Sequence, residues 1–474
     1  MAVITLTIDN RPVAVPAGSS LLEACRSAGQ PLLTLCHLDG LSPMGACRLC
    51  LVAVEGQSRP LAACVSAAAE GMVVRTDTAL LRSQRRMAVE LFFAEGNHVC
   101  AVCVANGACE LQDAAVAVGM DHNRFPLRQP PRRVDASHPL FRLDHNRCIL
   151  CTRCVRACDE LEGAHVFDVA ERGEHCRIVA GLDQPWGEVA ACTSCGQCLD
   201  ACPTGALFAS DGSSAGRHPR RERAALLRAA RDGKGWSNQG EAIPTPAPLA
   251  PPARPFLPAA RLLPEIEPSG PPRPAKLRLA TVWLSGCSGC HMAFLDLDEW
   301  LLDLAERVEI VYSPLACDTR IYPQAVDVCL VEGAVANRAH RELALLLRQR
   351  TRLVVAFGDC AIAANVPGLR NQPLPHPALL AAGTPSADQS PPGSAAAVLE
   401  RAYRELAEAG SRPPHAAGGV PPLLERVLPL HAVIPVEAWL PGCPPSPRRI
   451  RTVLEALLAG ATPQLEGPEE LRFG

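Results

Sequence analysis

The decisive stretch reads Cys148-Ile-Leu-Cys151-Thr-Arg-Cys154-Val-Arg-Ala-Cys158, and it returns as Cys192-Thr-Ser-Cys195-Gly-Gln-Cys198-Leu-Asp-Ala-Cys202-Pro203. Both copies follow C-x2-C-x2-C-x3-C. This spacing holds a pair of [4Fe–4S] clusters, with the fourth cysteine of each run crossing to the other cluster. On that rule Cys148, Cys151, Cys154 and Cys202 ligate one cluster, and Cys192, Cys195, Cys198 and Cys158 the other. Two zinc knuckles would also use C-x2-C. Zinc gains nothing from an x3-Cys tail that appears twice, so the paired spacing favours clusters. Side-by-side clusters conduct single electrons, and residues 141–212 are expected to form a two-[4Fe–4S] electron-transfer domain.

The chain around this stretch has 474 residues and 48% hydrophobic content, enough for several packed domains. A net charge of −3 argues against a nucleic-acid partner. For its 23 cysteines the expectation is a chain without a secretory leader. The start, Met1-Ala-Val-Ile-Thr-Leu-Thr-Ile-Asp9, alternates like a strand and has no basic n-region. No uncharged apolar run is long enough to span a bilayer, so no integral membrane segment is expected. The expected setting is cytoplasmic and reducing, where thiol clusters point to metal rather than to disulfides.

Two regions precede the repeated run. Residues 1–78 read as a β-rich domain, with strands at 4–8, 51–54 and 72–75 and a capping-box-like helix start at Ser19-Ser20-Leu21-Leu22-Glu23. Residues 79–140 open with a helix over 80–93. Beyond the run, residues 213–275 are rich in Pro, Ala, Arg and Ser, with one helix expected over 221–231. That composition reads as a solvated linker. Over 276–474, apolar runs at 279–284, 308–312, 326–331, 353–357 and 433–436 are expected to be strands. Helical stretches at 295–306, 339–350 and 395–409 lie between several of them, and residues 371–394 read as a loop. The alternation predicts a doubly wound parallel sheet.

Three further cysteine systems accompany these regions. Cys36-x10-Cys47-x2-Cys50-x13-Cys64 lies in the β-rich domain, with Gly40 and Gly45 in the loop. A glycine-bearing loop and a distant closing cysteine follow the logic of plant-type [2Fe–2S] sites, though x10 is longer than their x4. Next, Cys100-x2-Cys103-x5-Cys109-Glu-Leu-Gln112 supplies three ligands for a [4Fe–4S] cluster, and His98 is the candidate fourth because neutral imidazole binds iron. Finally Cys287-Ser-Gly-Cys290-His291, Gly358-Asp-Cys360 and Pro441-Gly-Cys443-Pro each follow an expected strand. Ligands gather beyond the carboxyl ends of strands in open α/β sheets, so these four cysteines can meet at one more [4Fe–4S] cluster. Cys25, Cys176, Cys317 and Cys329 have no paired spacing and read as ordinary thiols.

These motifs carry a resemblance. The Cys36–Cys64 spacing is similar to the [2Fe–2S] domain of respiratory complex I and related hydrogenases. The His98–Gln112 stretch resembles the His/Cys3 motif of the same superfamily, with the histidine two residues before the first cysteine where many members have four. Trp283-Leu-Ser-Gly-Cys287-Ser-Gly-Cys290, Val331-Glu-Gly333, Gly358-Asp-Cys360 and Pro441-Gly-Cys443-Pro resemble the small subunit of [NiFe] hydrogenases, most of all the soluble NAD-linked group. Many hydrogenases place a proton-transferring glutamate after the second cysteine, and this chain has His291 there.

The resemblance implies α+β ferredoxin-type domains, with a β-grasp [2Fe–2S] domain first, followed by a flavodoxin-like α/β domain. It implies one [2Fe–2S] cluster, four [4Fe–4S] clusters, and an FMN in the small-subunit-like domain. The chain would be a fusion of a diaphorase iron–sulfur subunit with a hydrogenase small subunit, in an enzyme oxidising hydrogen with NAD+. No G-x-G-x-x-G follows a strand, and no second C-x2-C pair of the kind nickel would require is present. The implied partners are therefore a [NiFe] hydrogenase large subunit and a flavin- and NAD-binding diaphorase subunit, and no catalytic residue is expected here. The alternatives are a complex I-like NADH dehydrogenase module and a non-catalytic redox sensor. The related quinone-side subunit of complex I carries adjacent Cys-Cys, unlike Cys287-Ser-Gly-Cys290.

Overall fold

A computed structural model describes residues 2–128, 132–214, 224–225, 227–229, 276–319, 321–371, 395–400 and 421–474. The chain divides into two compact units. One takes in the residues up to His98, Cys103–Met120 and those from Arg132 onward to the segment between the halves. The other takes in Val99–Val102, the described residues from Asp121 to Arg128, and those from Lys276 to the end.

The first unit opens with β1 (Val3–Ile8), β2 (Arg11–Pro16), α1 (Leu21–Ser27), β3 (Leu51–Val54), β4 (Leu61–Ala62) and β5 (Val73–Arg75), in a mixed sheet of order β2-β1-β5-β3-β4. Leu6, Ile8, Leu21, Leu22, Val52 and Val74 form its core. Ser20 and Glu23 cap α1 reciprocally, as the sequence suggests. Strand β2 is absent from the sequence reading. Its prolines lower its strand score, yet they are tolerated because β2 is an edge strand. The Asp9-Asn10 turn, with both φ positive, is the hairpin signal that marks it.

Helix α2 (Ala79–Glu95) and α3 (Glu110–Ala117) follow. The cysteine repeats then sit on β6 (Val134–Asp135), β7 (Phe141–Asp144), α4 (Arg153–Arg156), β8 (Phe167–Ala170), β9 (Arg177–Ala180), α5 (Gln197–Ala201) and β10 (Leu207–Ala209). A three-stranded sheet, β10-β7-β6, and a separate β8–β9 hairpin build this part around Trp186, Phe167 and Ile178.

The second unit holds β11 (Leu277–Trp283), β12 (Val308–Tyr312), β13 (Val326–Glu332), β14 (Val335–Asn337), β15 (Thr351–Phe357), β16 (Leu423–Leu428) and β17 (Ala438–Leu440). Its main sheet has the order β12-β11-β13-β15-β17 with every neighbouring pair parallel. Val328–Val331 and Val354–Phe357 are almost wholly buried, as strands covered on both faces must be.

Two expectations need correction. The run Val433–Val436 is not a strand: it continues a short 3-10 turn at Leu430–Ala432, Pro435 interrupts it, and sheet pairing begins at Ala438. The helix expected over 295–306 is split into Gly289–Leu295 and Trp300–Arg307, with Asp298 at positive φ between them. The expected linker 213–275, its helix, the loop 371–394 and the later part of the helix at 395–409 lie largely outside the described residues.

Candidate iron–sulfur sites

In the β-rich domain, Cys36, Cys47 and Cys50 sit in the loop between α1 and β3, and Cys64 sits in the turn Ala63–Val65 after β4. All four are buried. Cys50 Sγ and Cys64 Sγ lie 3.5 Å apart. The Cys47 N–H donates to Cys36 Sγ at 3.5 Å and the Leu35 N–H to Cys47 Sγ at 3.4 Å. Bonding with Cys64 draws the Cys50 thiol down to about 7, and bonding with Cys47 and Cys64 lowers Cys36. Cys25, by contrast, is a core thiol of α1 that burial pushes up to about 12.

In the repeated run, one cavity is lined by Cys148, Cys151, Cys154 and Cys202 together. This is the crossed set that the spacing implies, with Cys202 drawn from the second run. Cys195, Cys158 and Cys192, the reciprocal set, lie close enough to Cys198 to act on its thiol electrostatically. The loops are built alike. Leu150 and Thr152 flank Cys151 at positive φ, and Ser194 and Gly196 flank Cys195 in the same way. Alternating left-handed residues turn successive N–H groups inward, the arrangement that favours anionic iron–sulfur groups. Leu150 N–H bonds Cys148 Sγ at 3.5 Å and Val166 N–H bonds Cys158 Sγ at 3.3 Å. Trp186 Nε1–H reaches Cys192 Sγ at 3.3 Å, and His138 Nε2 lies 3.7 Å from the same sulfur. Neither aromatic residue carried a sequence signal.

His98 packs against Phe93 with ring centroids 5.3 Å apart. Burial, then Arg147, holds its pKa down to about 4, so the ring stays in the neutral form that binds iron. Cys103 faces Gly205, where a Cβ would come within 2.5 Å of its sulfur. Cys109 precedes α3, its Sγ 3.7 Å from the Pro203 carbonyl, and burial pushes its thiol up to about 12. Cys100 opens the turn Cys100–Val102, which belongs to the second unit.

In the second unit the four cysteines follow the carboxyl ends of parallel strands. Cys287 and Cys290 follow β11, Cys360 starts the turn after β15, and Cys443 follows β17. Cys443 and Cys287 lie close enough to Cys360 to act on its thiol electrostatically, as Cys360 and Cys443 do on Cys290. Burial pushes Cys360 up to about 12 and Cys443 up to about 11. Asp359 binds the loops together: its carboxylate accepts from Gly442 N–H and Gly474 N–H, each at 2.7 Å. Asn365 Nδ2 donates to Cys443 Sγ at 3.3 Å. At Gly358 (φ +82°) a Cβ would lie 2.2 Å from Cys290 Sγ, so only glycine fits. His291 is buried, and its Nδ1 pairs with the Glu332 carboxylate, which also accepts the His291 N–H at 3.0 Å.

Among the described residues, no three His, Cys, Asp or Glu side chains converge as tightly as one metal ion requires. A cluster is larger than an ion, and its thiolates meet different irons. Buried thiols, inward N–H groups and glycine clearances fit such groups. For Cys109, Cys360 and Cys443, which burial pushes up, ionising the thiol without a metal is unfavourable, and bound metal reverses that preference.

Comparison with known proteins gives matches in four regions of the chain. Residues 1–79 match the 2Fe-2S iron-sulfur cluster binding domain, and residues 85–124 the NADH-ubiquinone oxidoreductase-G iron-sulfur binding region. Residues 138–208 match the NADH-quinone oxidoreductase subunit 3 ferredoxin-like domain, and residues 287–457 the NADH ubiquinone oxidoreductase 20 Kd subunit. An NADH-quinone oxidoreductase subunit of Rhizobium meliloti is 39% identical over 210 residues, 43% of this chain and 24% of that protein. NADPH-Fe(3+) oxidoreductase subunit alpha of Geobacter sulfurreducens is 36% identical over 214 residues, 45% of this chain and 25% of that protein. The chain thus spans about a quarter of the length of these relatives. A solved chain of an NAD+-reducing [NiFe]-hydrogenase in the H2-reduced state is 35% identical, with a TM-score of 0.43, covering 48% of this chain and 99% of that one. No helix among the described residues is long and apolar enough to cross a membrane. The chain therefore carries 2Fe-2S and 4Fe-4S iron-sulfur domains similar to those of NADH-quinone oxidoreductase subunits, followed by a domain similar to the 20 Kd subunit of NADH ubiquinone oxidoreductase.

Proposed function

We propose that the chain is the electron-transfer subunit of a cytoplasmic NAD-reducing [NiFe] hydrogenase. On this reading it links a hydrogen-splitting large subunit to a flavin- and NAD-binding diaphorase. The observation that carries it is the Cys287, Cys290, Cys360 and Cys443 set at the carboxyl edge of the parallel sheet, on a chain that also bears three cluster-binding regions. Cys287-Ser-Gly-Cys290 gives the hydrogenase spacing rather than adjacent Cys-Cys. The first fold is read as β-grasp. The sheet order β12-β11-β13-β15-β17 is read as flavodoxin-like, the order 2-1-3-4-5.

The ligands on this reading are Cys36, Cys47, Cys50 and Cys64 for [2Fe–2S]. His98, Cys100, Cys103 and Cys109 hold one [4Fe–4S] cluster, the two crossed sets hold two more, and the four cysteines of the second unit hold the last. When bound, these groups supply one-electron transfer, while hydride chemistry stays with flavin on a partner. The chain's own residues orient the sulfurs, and they bury all four of the first set, Cys36, Cys47, Cys50 and Cys64. The N–H donors of Leu35, Leu150, Val166 and Trp186 stabilise sulfur charge and so raise cluster potentials.

A second reading, a complex I-like NADH dehydrogenase module, is favoured by the family matches over 85–124, 138–208 and 287–457. The complex purified through a tag on this chain separates the two. Hydrogen-dependent NAD+ reduction with nickel present supports the hydrogenase. NADH-driven quinone reduction without nickel or hydrogen activity would overturn it.

A further inference from the structure

Arg156 ends α4, two residues after Cys154 and two before Cys158. Its Nη2 donates to the Cys36 carbonyl at 2.6 Å and to the Cys151 carbonyl at 3.1 Å. These carbonyls belong to cysteines of two different cluster sets, one in the β-rich domain and one in the repeated run. Nη1 donates to the Ser42 carbonyl, and Nε to the Thr152 carbonyl at 3.3 Å. Every hydrogen bond of the guanidinium therefore goes to the backbone of one cysteine loop or the other.

The charges around it are otherwise paired. Arg153 is buried and forms a two-pronged bridge to Glu110, with both distances 3.0 Å. Its Nη2 also donates to the His37 carbonyl at 2.9 Å. Glu160 accepts from Arg228 at 2.6 Å and from the Ser42 N–H at 2.9 Å. The Glu160 carboxylate acts on Arg156 through space, yet among the described residues it bonds Arg228 and Ser42 and forms no ion pair with Arg156. A guanidinium stays protonated at any working pH, so a whole positive charge stands at the seam between the two sets.

The seam is firm on other grounds. Leu38 and Leu41 from the first loop pack with Ala157, Leu161, Ala201 and Ala224 in one apolar cluster. Thr152 Oγ1 donates to Met44 Sδ at 2.7 Å.

We propose that Arg156 is a coupling residue between the [2Fe–2S] site of Cys36 and the [4Fe–4S] site of Cys151, raising both reduction potentials together and joining the two loops by a hydrogen-bonded bridge. The proposal rests on the ligand sets given above. Each cluster gains a negative charge on reduction, and a fixed positive charge beside both favours both reductions. A unit charge roughly 10 Å away, at an effective dielectric constant near 20, changes a one-electron equilibrium by about tenfold.

The test is an EPR-monitored redox titration of the full chain, purified anaerobically with its clusters, as wild type, Arg156→Gln and Arg156→Lys. Iron and sulfide contents establish loading. In Arg156→Gln both reduction constants are expected to fall about tenfold, or about 59 mV each. Arg156→Lys keeps the charge and is expected to leave both within about threefold of wild type. A shift of one cluster only, of neither, or an equal fall in the lysine variant would overturn the proposal. If Arg156→Gln fails to load, the lysine variant decides alone, since a fall beyond threefold at either site overturns it. A wild-type chain lacking either signal would sink the ligand assignment, and the proposal with it. Both signals present without the joint shift would sink the proposal alone.

Discussion

Gly358 and His98 are single residues at which the proposed cluster sites can be tested. Gly358 has positive φ and leaves no room for a Cβ beside Cys290 Sγ. Gly358→Ala would cost about 1–3 kcal/mol in backbone strain alone and would also push the sulfur aside. The expected result is loss of about four irons per chain, with the spectra of the other sites unchanged. An unaltered iron content would show that the loop yields. For His98→Cys a cluster is expected to persist with a shifted potential, since thiolate replaces neutral imidazole. Identical redox titrations of variant and wild type would remove His98 from the ligand set. The cysteines were legible in the sequence because cluster ligation imposes short fixed spacings. The parts played by Asn365, His138, Arg156 and Asp359 are not legible, because the first three reach sulfurs or carbonyls across the fold and Asp359 accepts from the distant N–H groups of Gly442 and Gly474.

The crossed pairing proposed for the repeated runs would be set by α4 and α5 and the loops that precede them. Cys202→Ala is expected to damage the site of Cys148, Cys151 and Cys154, and Cys158→Ala the site of Cys192, Cys195 and Cys198. EPR of the two variants should therefore lose different signals; loss of the same signal would refute the crossing. The long parallel strands β11, β13 and β15 were readable from continuous apolar runs, since burial on both faces leaves no alternation. β17 was not, because its three residues follow a more apolar run whose proline and 3-10 turn keep it out of the sheet. That turn carries His431, whose pKa burial and then His122 lower to about 4. A histidine held below its ordinary 6.5 contributes stability that is complete above pH 6.5 and is lost as pH falls towards 4. The unfolding midpoint of the wild-type chain is expected to drop across that window, by an effect worth a few kcal/mol at most. His431→Gln should flatten the drop, and an identical pH profile would contradict it.

At the scale of the whole molecule, chain order and compact units do not coincide. The sequence divides the chain at 213–275, yet the described residues Asp121–Arg128 belong to the second unit. His122 lies flat on Trp439, with centroids 3.6 Å apart and planes 6° apart, and Arg426 Nη2 donates to the Arg128 carbonyl at 3.3 Å. No periodicity or spacing in 121–128 announces this, because stacking on a residue some three hundred positions away leaves no local pattern. Residues 276–474 produced alone would lack the ring that covers Trp439, on the strand leading to Cys443. Stacking of this kind is worth about 0.5–1.5 kcal/mol beyond area burial. The fragment is therefore expected to unfold at lower temperature than the same unit in the full chain, with Trp fluorescence shifted to the red. His122→Ala in the full chain should reproduce part of that loss. A fragment as stable as the intact unit would mean that the 121–128 segment rests on the second unit without supporting it.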